Sequence, residues 1–287
     1  MVSSTLAQSL LNGFALAGIY ILVALGLTLV LSIMGIVQIS HGEIYMIGAY
    51  SVFYLVSILK MNFLLSTIIA ILFVGGIGIF LERVCFRPFR GDGDRCMTIA
   101  IALTFILQNL ILFIAGGNPR SFPNPITGVL HIGTIAIAWK RLTIVLAGVG
   151  LLAALYTFIR YSKTGQAMLA ISQERDGAAL QGINIDRISA VAMFMGCGLA
   201  SVAGALVGSL FSISPTMGSF ALLKGIAVII LGGLGSMSGA ILGGLILGLI
   251  DGIVPAYATT HIAGLCGFAT IVIILIFRPQ GIWGHEG

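Results

Sequence analysis

An all-α, polytopic membrane protein is the fold class this sequence predicts, and three observations predict it. Charged residues are 8% of the 287-residue chain and apolar residues 59%, against roughly 25% and 45–50% in a soluble domain. The mean hydropathy is +1.14. The apolar residues gather into runs long enough to cross a bilayer, separated by short intervals that hold most of the charges. The expectation is one domain over residues 1–287 with about seven full transmembrane helices plus broken or re-entrant segments. A formal net charge of +5, with no arginine-rich face, gives no sign of nucleic acid. The four cysteines lack metal-like spacing, and Cys197 and Cys266 lie in apolar runs, where a thiol packs.

The first span is expected over about Leu11 to Leu31, with Gly13, Gly18 and Gly26 permitting close helix approach. It carries no cleavage-like signal and reads as a mature helix. Ile33 to Tyr45 is too apolar for a wet loop and too glycine-punctuated for clean helix. Non-helical backbone at membrane depth requires cover by protein or a water-filled cavity. A broken connection into a second span, about Ile44 to Leu59, follows. The third span runs from Phe63 to about Leu81, before a turn at Pro88 and Gly91–Gly93. Met97 to Ile114 makes the fourth. Residues 116–140 form a proline-rich loop whose alternating tail, Thr127 to Trp139, suggests a short strand pair.

The fifth span, Leu142 to Ile159, leads into residues 160–187, the longest charged interval of the chain. Within it Gln166 to Gln181 reads as a short helix, bracketed by Gly165 and Gly182. Too short and polar to span, it lies outside the lipid, either as a docking knob or as a solvated loop with an incidental helical turn. Ile188 to about Leu210 is the sixth span, with Asn184 or Asp186 as its N-cap. Ser219 to Gly252 is apolar but interrupted by GGLGSMSG at Gly232 to Gly239, giving a hinged pair of short helices. The last span is Ile262 to Phe277.

Basic residues set the orientation. Arg83, Arg87, Arg90, Arg95, Arg160, Lys163, Arg175, Arg187 and Arg278 fall on one side; Lys60, Arg120, Lys140 and Arg141 fall on the other. The first side is assigned to the cytoplasm, which puts the N-terminus outside, the C-terminus inside and residues 116–140 outside. That requires an odd number of crossings.

Catalytic motifs are missing. None of the four lysines follows a glycine, so no P-loop exists. His41 and Glu43, beside Gln38 and Ser40, are ionisable or polar groups at membrane depth and so candidate pathway residues; the other reading is a charged cap at a helix start. Glu82–Arg83 reads as an interfacial or partner-facing pair, Asp251 as interfacial, and Lys224 as snorkelling outward. Gly233, Gly235, Ser236 and Ser238 expose backbone between two short helices, which suits either a substrate pathway or tight helix packing.

Four collinear stretches carry a resemblance: Ala24–Tyr50, Leu81–Gly91 (LERVCFRPFRG), Ile101–Leu110 and Gly165–Ile188, with LGGLGSMSGAILGG and FRPQGIWG closing the chain. The sequence resembles the H-type permease subunits of branched-chain amino-acid ABC importers over most of its length. Ile39-Ser40 departs from the Phe-Ala usual before His-Gly-Glu, and relatives that carry urea, amides or aromatic acids leave the substrate open.

The resemblance implies a second permease (M-type or a copy of this chain), two cytoplasmic ATPase subunits that hold ATP and magnesium, and an extracytoplasmic solute-binding protein. No cofactor is expected on this chain. The resemblance also implies that residues 160–187 are a coupling segment, with Gly165, Ile171, Glu174, Arg175, Asp176, Ala178, Ala179 and Gly182 serving the contact with an ATPase. The competing readings are an ion-coupled transporter or channel using His41 and Glu43, and a membrane-embedded enzyme. The enzyme has no nucleophile–base or metal constellation to support it.

Overall fold

The computed structural model describes residues 2–123, 128–132 and 135–284. In order these form α1 (Val2–Met34), α2 (His41–Ser57), α3 (Phe63–Leu81), α4 (Gly93–Ala115), β1 (Val129–Ile132), β2 (Ile135–Ala138) and α5 (Trp139–Tyr161). There follow α6 (Lys163–Gln173), α7 (Arg175–Leu180), α8 (Ile185–Leu210), α9 (Met217–Gly232), α10 (Met237–Ile253) and α11 (Thr260–Phe277). Among the described residues, six helices are long and apolar enough to cross a membrane. The protein is multi-pass and helical, as its composition demands. Helices α2 and α9, with 17 and 16 residues, fall short of the roughly 20 that a full span needs. The strand pair expected before the fifth span is present as an antiparallel ribbon, with Val129 opposite Ala138. Of the loop 116–140, residues 124–127 and 133–134 lie outside the described residues.

Helices α1 and α8 form the axis. Their apolar windows are 78% buried, whereas those of α4 and α5 are 17% buried. Small residues make the axis possible. A Cβ on Gly204 of α8 would stand 2.1 Å from the Tyr45 carbonyl oxygen, and one on Gly48 of α2 would stand 2.3 Å from Ser201 Cα. Helix α10 lies along α1 in the same way: Gly252 meets Gly13, Gly248 meets Ala17 and Gly244 meets Ile21. The outer helices turn Phe113, Leu146 and Leu265 outward, which suits contact with lipid tails.

Several boundaries differ from expectation. Helix α1 begins at Val2, not near Leu11. The third span does not stop at Leu81, because a π-helical turn, Glu82–Phe86, and a 3-10 turn, Arg87–Phe89, continue it. Of the pair expected to be interfacial or partner-facing, Arg83 is exposed but Glu82 is not. Glu82 is fully buried and pairs with Arg90, and both Arg90 and Arg87 pair with Asp186 at the start of α8. A carboxylate at the end of a span needs such a partner to stay charged when covered. With Asp186 so engaged, Asn184 caps α8, accepting from Arg187 N–H at 2.9 Å.

The single helix expected over Gln166 to Gln181 is two. Glu174 adopts extended backbone (φ −152°, ψ 112°) and separates α6 from α7. The chain alternates between the two ends of the bundle. Helices α6 and α7, the α9–α10 turn and the tail after α11 share one end. Backbone hydrogen bonds fix that tail: Ile282 donates to Leu231 at 3.0 Å and Trp283 to Gly232 at 2.9 Å.

Candidate translocation site

Two interrupted helices meet inside the bundle. Helix α1 ends at Met34, and residues 35–40 return without regular structure, starting from Gly35 at φ +68°. Helix α2 then starts from His41, already buried. Helix α9 likewise begins below the end of the bundle, after the irregular residues 211–216. Their first turns touch. A Cβ on Gly42 would stand 2.2 Å from the Gly218 carbonyl oxygen, and one on Gly218 2.6 Å from that of Gly42. Helix N-termini carry partial positive charge, and discontinuous helices arranged like this serve as solute sites in transporters. The broken connection expected at Ile33 to Tyr45 is therefore present, with α2 as its second half.

Gln38, Ser40, His41 and Glu43 come together at this junction, each no more than 1% exposed. His41 Nδ1 lies 3.4 Å from Gln38 Oε1. The imidazole fills the space beside Gly26, where a Cβ would fall 2.8 Å from Nε2, while the Glu43 carboxyl carbon sits against Gly218. Gln38 Nε2, Ser40 Oγ, His41 Nε2 and Glu43 Oε2 find no hydrogen-bond partner among the described residues. Polar atoms at this depth cost free energy unless something answers them.

Lys224 and Asp251 correct the sequence reading most. Neither reaches outward. Lys224 Nζ donates to Asp251 Oδ2 at 2.6 Å, and Tyr20 Oη donates to the same oxygen at 2.7 Å. The ammonium also lies 5.7 Å from the Tyr20 ring centre and 5.6 Å from that of Phe220. The α9–α10 turn folds the two helices back on each other, which is what brings a lysine and an aspartate 27 residues apart into contact. The triad lines a cavity of about 650 Å³, which Asn12, Tyr45, Met217 and Ala263 help to wall. Tyr45 is one turn beyond His41, so the cavity adjoins the helix junction. It lies in the half of the bundle away from α6 and α7.

The remaining candidates lie at the other end. Gly233 and Gly235 hold φ +107° and +81° in the α9–α10 turn, and the tail packs on Gly233, with Gly284 N 2.5 Å from a built Cβ. Ser236 caps α10, accepting from Gly239 N–H at 3.0 Å, and Ser238 is exposed. This group does not adjoin Gln38–Glu43. In the α6–α7 unit, Gly165, Ile171 and Ala178 face the bundle, and Arg175 is half-buried. Gly165 is pressed so close to α5 that a Cβ would meet the Phe158 carbonyl oxygen at 2.4 Å. Glu174, Asp176, Ala179 and Gly182 face outward, as does Leu180, an apolar side chain 87% exposed.

A family model described as the permease component of the branched-chain amino acid transport system matches residues 9–277. The chain belongs to this family. It is 34% identical to LivH, the high-affinity branched-chain amino acid transport system permease protein of Escherichia coli K12, over 97% of this chain and 95% of LivH. It is 31% identical to the corresponding protein BraD of Pseudomonas aeruginosa, over 97% of this chain and 95% of BraD. The fold is similar to a chain of the structure of PsaBC from Streptococcus pneumoniae in complex with Fab. The TM-score there is 0.54 at 13% identity, covering 98% of this chain and 97% of that one. The protein is thus a permease component of an ABC-type transport system, and its buried cavity and helix junction belong to a transport fold.

Proposed function

We propose that this chain is one permease subunit of an ATP-driven importer, seated in a bacterial-type inner membrane. It passes branched-chain or other hydrophobic amino acids, or closely related small solutes. The family match across residues 9–277 carries this reading. On it, the chain pairs with a second permease (M-type or a copy of itself), two cytoplasmic ATPase subunits that hold ATP and magnesium, and an external solute-binding protein. Gln38, Ser40, His41 and Glu43 belong to the pathway, and Gly233, Gly235, Ser236 and Ser238 form a hinge at its cytoplasmic end. Glu174, Arg175, Asp176, Ala179 and Gly182 meet an ATPase subunit, joined by Leu180. Gly165, Ile171 and Ala178 fix the knob to the bundle, so that motion of the ATPase reaches the helices as rigid-body displacement.

The test is uptake of labelled leucine, short amides and urea into vesicles carrying the reconstituted complex. Uptake that requires internal-facing ATPase sites, ATP and the binding protein is expected. Uptake by the permease alone, driven by an ion gradient, sinks the proposal in favour of a secondary transporter. Cysteine labels at Arg95 and Lys163, both exposed, should react only from the side that binds ATP.

A further inference from the structure

We infer that the cavity beside Lys224, Asp251 and Tyr20 is a recognition site for the zwitterionic head of an α-amino acid, whose carboxylate takes Lys224 and whose ammonium takes Asp251. This deepens the import reading above and rests on it. Three observations support it.

The first is charge balance. Lys224 and Asp251 face each other at 2.6 Å with side chains 10% exposed, in a part of the fold surrounded by apolar helices. A ligand with one charge would leave one partner buried and uncompensated, which is strongly unfavourable. A zwitterion inserts between them and turns one ion pair into two, without changing the net charge of the site. A free carboxylic acid or a simple amine cannot do this. Arg141 stands in the same cavity wall, but it is partly exposed at the first turn of α5, where water screens it.

The second is the shape and lining. A volume of about 650 Å³ falls in the roughly 300–1,000 Å³ range of small-ligand sites. Away from the triad the wall is apolar, with Leu16, Ile19, Val207 and Leu210 available to an aliphatic side chain. The third is unanswered polarity aimed at the same space. Asn12 lines the cavity and its Oδ1 has no hydrogen-bond partner among the described residues. Met217, the first residue of α9, lines it too, and that helix start has no side-chain cap. Asn12 Oδ1 is an acceptor suited to the ammonium, while the end of α9 favours the carboxylate.

The bland account is that the triad only braces α1, α9 and α10. The two accounts separate in the variant Lys224→Met with Asp251→Leu, made together with Tyr20→Phe so that no hydroxyl is stranded, which removes both charges and keeps the volume. Buried ion pairs replaced in this way are often neutral for stability. The complex carrying it should copurify with its partner subunits and melt as the wild type does. Its apparent KM for leucine should nevertheless rise roughly tenfold or more, the loss expected when charged hydrogen bonds to a ligand are removed. Unchanged leucine uptake in that variant overturns the inference while leaving the import reading intact. Absence of leucine uptake in the wild-type complex would instead strike the import reading.

A second measurement serves if the triple variant fails to assemble. In a cysteine-free complex, a thiol at Ala263→Cys on the cavity wall is alkylated with and without leucine, leucinamide and 4-methylpentanoate. Leucine should slow the reaction, and the two compounds lacking one head-group charge should not. Equal protection by all three, or by none, overturns the zwitterion site.

Discussion

The two ends of this molecule use the same chemistry, pairs of opposite charge, in different ways. In the half with the cavity, Asp251 is a hub that takes both Lys224 and Tyr20, enclosed and with little access to water. At the end that carries α6 and α7, Glu82, Arg90, Asp186 and Arg87 form a chain of alternating sign that joins the end of the third span to α8 and runs outward into water. In the hub, losing one member strands the others. Along the chain, a loss at the Arg87–Asp186 end is shared and partly hydrated, whereas the Glu82–Arg90 end is as buried as the hub. Burial and the number of partners, not the count of ion pairs, decide what each cluster is worth.

The sharpest break of that comparison is Asp251→Ala. It leaves Lys224 buried and unpaired, at a cost of about 3–5 kcal/mol. Denaturant titration of the purified permease should register it, and a shift under 1 kcal/mol would mean that the ammonium escapes to water. Arg90→Ala comes next. It strands Glu82, which is fully buried, while Arg87 stays on Asp186, so a loss of about 3 kcal/mol, the lower end of that range, is expected in the same titration; a loss under about 1 kcal/mol would mean that water reaches Glu82. Ala179→Trp tests the outward surface at the same end. A misfit in a packed contact costs roughly 1–3 kcal/mol, so the ATPase subunits should dissociate or hydrolyse ATP without uptake, while the permease still inserts. Copurification with normal uptake would leave α7 without a coupling role. The smallest effects belong to Arg87→Ala and Glu174→Gln, groups largely in water. Each should change stability or coupling by less than about 1 kcal/mol, and a larger loss from Arg87→Ala would show the chain to be drier than its exposure implies.

Much of this was legible in the sequence because lipid imposes length and apolarity on every span. The break before His41 and the glycine turn within Gly232–Gly239 were legible for a related reason: neither reads as unbroken helix, yet neither is polar enough to be a wet loop. The Lys224–Asp251–Tyr20 triad was not, since a single charge in an apolar run looks like a snorkelling side chain until its partner is known. A signal did exist. Lys224 and Asp251 lie on either side of the expected hinge, 8 residues before Gly232 and 12 after Gly239, so folding there brings them into the same half of the bundle. Nothing in the chain announces Tyr20, which reaches Asp251 only because α1 lies along α10. The split of the coupling segment at Glu174 was also hidden, because the residues on both sides of it favour helix.

The fit of α10 to α1 has a mechanical consequence. At Gly13, Ala17 and Ile21 one helix backbone rests directly on the other, opposite Gly252, Gly248 and Gly244. Small-residue seams let backbones approach closely; Gly252 and Gly248 meet backbone first, and Gly244 takes the Ile21 side chain. Sliding by one residue would drive a Cβ into backbone at successive turns, so the two helices travel as one strut. Tyr20 and Asp251 therefore sit on a fixed wall. Helix α9 is stitched to α10 in the same way, Gly232 on Gly239 and Gly243 on Val228, so if the cavity narrows or widens during a transport cycle the moving part is α11 across the mouth.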